Sequence, residues 1–278
     1  MGRSRDQERE AGEESGSREP GQKEPGQVTR LFVTAVLGSD AEIELDEDAT
    51  HYLRNVLRLA PGERVGLFNG RDGEWSAELT GLSKRAARLQ LREQTRGQTI
   101  EPDLWLVFAP IKRQRIDILV EKATELGATA LLPVFTRRTV MTRVNLERLA
   151  AHAKEAAEQT ERLTVPVIRE PQSFDKLLAE WPASRRLLVC AEAGPARPIL
   201  DALGELTRDV KNRTQSWAIM TGPEGGFMAS ELDALGKLPF VTPVGLGPRI
   251  LRADTAAIAA LAIWQALVGD GRDRPPSR

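Results

Sequence analysis

From Asp103 onward, short continuous apolar runs alternate with segments whose apolar residues recur at helical spacing, and this limits the fold more than any other feature. Leu104-Trp105-Leu106-Val107-Phe108-Ala109 reads as a buried strand. The segment from Arg113 then carries Ile116, Leu119, Val120, Ala123 and Leu126 at helical spacing and stops at Gly127. Further strands are expected over 130–135, 165–168, 186–191, 217–221 and 240–244, with helices over 144–159, 174–181 and 253–268. Another helix is expected to start at Ser230, with Asp233 completing a capping box. Strand and helix in repeated succession imply a mostly parallel sheet covered on both faces, an α/β fold.

Before Asp103 the pattern is different. Strand-like pieces at 30–33 and 43–45 precede a helical stripe made by Tyr52, Leu53, Val56 and Leu57, with Arg54 and Arg58 four apart on a neighbouring face. Runs at 64–68, 74–79 and 85–91 are separated by turn chemistry such as Asn69-Gly70-Arg71-Asp72-Gly73. A small β-barrel holding one helix closes this segment most simply, and 93–101 is the expected linker. Residues 1–27 have almost no apolar side chains to offset ordering entropy, so they are expected to be a disordered tail. They lack the apolar core of a signal peptide, and no segment has the continuous apolar run that crosses a bilayer, so a soluble, cytoplasmic protein without a membrane partner is expected.

A single cysteine, Cys190, excludes a disulfide framework and a cysteine-based zinc site. The two histidines, His51 and His152, fall on different predicted helices, so neither a metal site nor a histidine triad is expected. Formal net charge is -1, but its distribution is uneven. Residues 51–96 carry nine basic side chains against five acidic ones, while 1–27 carry five against seven. A local basic field of this kind steers a polyanion.

Two Gly/Pro-rich loops follow short apolar runs and precede helical patterns: Gly222-Pro223-Glu224-Gly225-Gly226-Phe227 and Leu246-Gly247-Pro248-Arg249-Ile250-Leu251-Arg252. Glycine permits positive φ and lets backbone approach a ligand closely. In open α/β sheets the crevice beyond the strand C-termini is where ligands sit. Leu246, Ile250 and Leu251 supply apolar side chains inside the second loop, which suits the faces of an adenine-like ring. The dinucleotide fingerprint and the Walker phosphate loop are both absent, so a nucleotide-like ligand is held in some other way.

GPEGGF and LGPRILRADTA, together with the earlier EKATELGATALLPV and EAAEQTERLTVP, in this order, resemble the 16S rRNA (uracil-N3) methyltransferase family of the SPOUT superfamily. The resemblance implies a PUA-like RNA-binding barrel over 28–96 and a methyltransferase domain over 102–270 with a deep trefoil knot. It also implies S-adenosylmethionine as methyl donor, a homodimer, and 16S rRNA or the small ribosomal subunit as partner. Carried over by position, the donor pocket is Leu188 to Ala191 at a strand end, then Thr221, Gly222, Glu224, Gly225 and Gly226, then Leu246, Gly247, Ile250, Leu251 and Arg252. One stretch departs from the family pattern: Thr160-Glu161-Arg162 stands where the family often has Ser-Gly-Arg.

A sulfonium donor already carries an electrophilic methyl group, so the implied reaction needs no metal; it needs the uracil N3 proton removed or the resulting anion stabilised. Arg252, at the start of the last helix, is the candidate for the electrostatic role and Glu224 for proton acceptor. Arg54, Arg58 and Arg88 of the barrel, with Lys112, Arg113, Arg115, Arg137, Arg138 and Arg162, are the candidate RNA contacts. Two alternatives share these features: another SPOUT enzyme acting on a ribose 2′-oxygen or a tRNA base, and an RNA-binding assembly factor without catalysis.

Overall fold

The computed structural model describes residues 29–191, 196–208 and 215–276, and the expected tail over 1–27 lies outside them. The first unit is a five-stranded sheet formed by β1 (Thr29–Phe32), β2 (Glu42–Leu45), β3 (Arg64–Phe68), β4 (Glu74–Leu82) and β5 (Ala87–Arg96), in the order β1-β3-β4-β5-β2. Its pairings are antiparallel except β1 with β3. The period of two drives Val65, Leu67, Ala77, Leu79, Leu89 and Leu91 to one side, where all are completely buried. Register shifts between β4 and β5 sharpen the twist that wraps the sheet around Leu53.

Leu53 comes from the expected helix, but the helix is not uniform. Asp46 caps α1 (Glu47–His51) by accepting from the Ala49 amide at 2.8 Å, and the chain then widens into a π-helical stretch over Tyr52–Val56. Arg58 leaves it at a φ of 55°.

The second unit contains β6 (Leu104–Phe108), β7 (Ala130–Phe135), β8 (Val167–Ile168), β9 (Gln172–Ser173), β10 (Arg186–Cys190), β11 (Arg197–Pro198), β12 (Trp217–Thr221) and β13 (Val241–Gly245). Between and after them run α2 (Arg113–Glu125), α3 (Leu146–Gln159), α4 (Phe174–Ala179), α5 (Ile199–Leu206), α6 (Ala229–Gly236) and α7 (Ala253–Leu267). The strand order is β11-β13-β10-β12-β6-β7-β8, with β9 paired to β7, and these pairings are parallel as expected. Successive strand residues feed opposite faces: Leu106, Leu188 and Ile219 pack with α2, α3, α5 and α7, whereas Val107, Val189 and Met220 pack with α4 and α6.

The structure corrects boundaries and adds three short elements. Strand β5 runs from Ala87 to Arg96 where a strand over 85–91 is expected, taking up the first residues of the expected linker over 93–101. Helix α6 begins before Ser230: Met228 is its N-cap, and the Glu231 carboxylate, 4% exposed, accepts from the Met228 amide at 2.8 Å. The short β9 and β11 and the helix α5 go beyond what the sequence pattern predicts.

Helices α2 and α3 start at the same end, where Arg148 pairs with Asp117, and finish together, where Arg162 donates to the carbonyls of Thr124 and Ala128. The barrel docks at the finishing end. The Arg30 guanidinium donates to the Ala157 and Glu158 carbonyls at 3.1 Å and to the Arg162 carbonyl at 2.8 Å, while pairing with Glu74. A cation on the last carbonyls of a helix offsets the negative end of its dipole. Phe68 completes the contact against Ala157 and Leu163, and the Phe32 amide donates to Glu158 at 2.9 Å. Burial at this junction raises the Glu158 carboxyl above the usual carboxylate range, and the Phe32 bond opposes that rise.

Candidate functional site

A cavity of about 600 Å³ opens beyond the C-terminal ends of β10, β12 and β13, walled by the two Gly/Pro-rich loops. Thr221, the last residue of β12, is 2% exposed, so the first loop springs from a fixed point. Its glycines do different work. A Cβ on Gly222 would lie 3.0 Å from the Phe227 ring, so that residue permits close packing. Gly226 has a φ of 67° and donates its N–H to the Pro223 carbonyl at 2.9 Å, closing a tight turn. A Cβ on Gly225 would rest 3.5 Å from the Arg138 stem, and Arg138 Nη1 donates to the Gly225 carbonyl at 2.8 Å.

The second loop leaves β13 through Leu246 and Gly247, the latter at a φ of 102° that a side chain would strain. Leu246 and Leu251 are half-buried at the cavity wall, while Ile250 is 84% exposed. Arg252 is the N-cap of α7, exposed at the cavity, and its carbonyl accepts from the Ala256 amide at 2.8 Å. Glu224 is exposed on the rim. Thus Ala191, Thr221, Gly222, Glu224, Gly225, Gly226, Leu246, Gly247, Ile250, Leu251 and Arg252 all converge on one cavity. Leu188 does not: it is fully buried in the core on the face covered by α2, α3, α5 and α7, two positions before the strand end, and Cys190 takes its place at the wall.

Burial pushes the Cys190 thiol up to about 12, so it is a neutral wall group and no nucleophile. His152 Nε2 lies 3.5 Å from Asp117 on α2, and His51 ends α1, so the histidines stay apart from the cavity. Among the described residues there is no cluster of side chains able to hold a metal ion, and no helix long and apolar enough to cross a membrane.

The expected RNA contacts separate into groups. Lys112 and Arg113 are exposed at the start of α2, at the cavity end of the sheet, and Arg115 beside them pairs with Asp254 at 3.4 Å. Arg54 and Arg58 are exposed on the barrel, whereas Arg88 is paired across strands with Glu44 at 3.4 Å. Arg64 with Glu93 and Arg92 with Glu78 extend that ladder, so several of the barrel's arginines are paired with carboxylates on its own strands. The Arg137 side chain is 72% exposed and 4.0 Å from Asp175.

Arg162 is a correction. Its side chain is 8% exposed, its guanidinium is paired with Glu101, and its remaining donors reach Thr164 and two backbone carbonyls. With its charge consumed inside the fold, it is a structural pin and no phosphate grip. Glu161 beside it holds a φ of 62°, which is the physical sense of a glycine at this point in the family pattern. Arg138, also expected on RNA, instead lies against the first cavity loop, a role that only the folded contact reveals.

Known proteins agree with this geometry. Residues 99–265 match the RNA methyltransferase domain family, and residues 45–92 match the RNA methyltransferase PUA domain. The chain is 33% identical to ribosomal RNA small subunit methyltransferase E of Rickettsia conorii over 84% of its own length and 93% of that protein. It is 32% identical to the protein of the same name from Synechocystis sp., over 86% of this chain and 78% of that one. A crystal structure of ribosomal RNA small subunit methyltransferase E from Neisseria gonorrhoeae bound to S-adenosyl methionine superimposes with a TM-score of 0.77 at 28% identity, covering 88% of this chain and 99% of that chain. With a parallel sheet, a loop-walled cavity at its strand ends and a PUA domain ahead of it, the chain belongs to the ribosomal RNA small subunit methyltransferase E family.

Proposed function

We propose that this protein transfers a methyl group from S-adenosylmethionine to N3 of a uridine in 16S rRNA of the small ribosomal subunit. The observation that carries the reading is the cavity itself, built from two turns of exposed backbone with apolar Leu246 and Leu251 between them. A donor without phosphate needs backbone groups and apolar walls, and these residues supply both. Ala191, Ala253 and Ala256 keep the walls shallow, and the Glu224 carboxylate on the rim complements a sulfonium charge.

When bound, the donor supplies a methyl group already activated by its sulfonium. The chain's task is to hold a uracil edge beside it and favour loss of the N3 proton. Arg252 stands at the cavity on the residue before α7, where a cation stabilises negative charge developing on the base. Glu224, exposed on the same rim, is the candidate acceptor for the proton. Lys112, Arg113 and Arg137 share the cavity end of the sheet and are the candidate phosphate contacts, with Arg54 and Arg58 gripping RNA from the barrel.

The same reading includes the trefoil knot, a homodimer and a cytoplasmic location. The strand order supports the knot, since β13 returns beside β10 and α7 then crosses back onto α2 and β12. The test is methyl transfer from labelled S-adenosylmethionine to isolated small subunits, followed by digestion to nucleosides. The label is expected in 3-methyluridine. Label on a ribose 2′-oxygen or in tRNA would move the activity to another SPOUT reaction, and RNA binding without donor binding would leave an assembly factor.

A further inference from the structure

Two adjacent residues of the segment after β7 fasten it to the first cavity loop and to the start of α6 that follows the loop. The Arg137 amide donates to Glu231 Oε1 at 2.9 Å, and the other oxygen of that buried carboxylate accepts from Met228 at 2.8 Å. Arg138 then reaches over Gly225, laying its stem 3.5 Å from where a Cβ would stand and donating Nη1 to the Gly225 carbonyl at 2.8 Å. The peptide between Gly225 and Gly226 is therefore held at both ends, because its N–H is given to the Pro223 carbonyl at 2.9 Å. Turning that peptide over would break both bonds at once.

The segment itself is braced from within. Thr136 accepts no freedom at its start, since its amide donates to the Thr139 hydroxyl at 2.9 Å. Arg137 is exposed within the brace, and beyond it Val140 is 83% exposed and Arg143 is exposed with it. One short stretch thus presents cations to solvent and, through the residue between them, grips the wall of the cavity.

We propose that Arg138 is a positioning residue that latches the Gly222–Phe227 turn into its donor-binding shape and couples RNA contact on segment 136–143 to donor affinity. The proposal rests on the donor reading of the cavity given above. An interaction of RNA with Arg137 and Arg143 steadies the segment, the latch steadies the turn, and donor binding tightens; by linkage, donor tightens RNA binding by the same factor.

The test compares wild type, Arg138→Met and Arg138→Lys in the full chain. Methionine keeps an unbranched stem over Gly225 and removes the N–H donors, whereas lysine restores one donor. Calorimetry with S-adenosylmethionine, with and without saturating 16S rRNA, should show tighter donor binding with RNA in wild type. Arg138→Met should weaken donor binding roughly ten-fold, as the loss of a charge-assisted bond does, and should abolish the RNA effect. Arg138→Lys should recover most of both. Backbone amide exchange over 222–228 in the free protein should rise in Arg138→Met and not in Arg138→Lys. Unchanged exchange, unchanged donor affinity or a surviving RNA effect in Arg138→Met would each overturn the latch. A wild-type chain that binds no donor would instead sink the functional reading, and the exchange measurement would still decide the latch.

Discussion

Single residues divide here by whether their neighbours are close in sequence. The glycines of the first cavity loop were legible because Gly/Pro punctuation is local, and the structure then shows which of them needs positive φ. Gly226 does, at 67°. Gly226→Val should therefore distort the turn and weaken S-adenosylmethionine binding by roughly ten-fold or more, with the thermal transition little changed, as calorimetry and circular dichroism would show. Arg252→Ala should act on a different quantity. At saturating donor and RNA its turnover should fall by something on the order of 10², as for other preorganised electrostatic groups, and raising the pH should recover part of the loss because deprotonated N3 becomes more abundant. Wild-type turnover at saturation would leave Arg252 a binding residue. Arg162 and Arg138 were not legible at this scale. The partner of Arg162 lies 61 residues away and that of Arg138 87 away, and a count of charges carries no information about such distant pairing.

At the scale of elements, the strands of the parallel sheet were the clearest part of the sequence. β7 and β12 occupy the expected residues because continuous apolar runs flanked by turns have few other uses. The two-residue β9 and β11 and the eight-residue α5 were missed, being too short for periodicity to separate them from loop. The π-helical stretch over Tyr52–Val56 was hidden for another reason: its apolar spacing is compatible with an ordinary helix, and what marks it is wide bonding such as that of Leu57 back to Tyr52 at 3.0 Å. The turn after α3 is the element whose stability the structure predicts most sharply. Arg162→Ala would strip the cation from the part-buried Glu101, which would keep the Thr164 hydroxyl alone, and would remove the side-chain donor from the Thr124 and Ala128 carbonyls, so unfolding should lose about 3 kcal/mol and the transition temperature should drop by several degrees. An unchanged melting curve would contradict the structural role given to this arginine.

For the whole molecule, the arrangement of the two units sets the path that RNA must take. The barrel docks where α3 ends, and the cavity opens where α3 begins, so about 20 Å of helix separates them. RNA bound at both therefore runs along the molecule, and its affinity should fall steeply with salt as counterions are released. Arg113→Ala and Arg54→Ala, at the two ends of that path, should each flatten the log-log salt slope by roughly 1. Arg88→Ala should flatten it less, because Arg88 is already paired with Glu44. Equal effects from all three would mean that the cross-strand ladder opens to RNA. Half of this division is legible in the sequence: the basic excess of residues 51–96 can be counted, but which arginines face a carboxylate depends on strand register.

The central claim is that the loop-walled cavity delivers a methyl group to one uracil of 16S rRNA, and mass mapping of 16S rRNA tests it most directly. The RNA would be taken from a strain lacking this gene, and from the same strain carrying either the wild-type chain or Gly226→Val. The account predicts one uridine that lacks its N3 methyl in the deletion, regains it with the wild-type chain and stays unmethylated or substoichiometric with Gly226→Val. A 16S rRNA whose methylation is identical in all of these strains would contradict it.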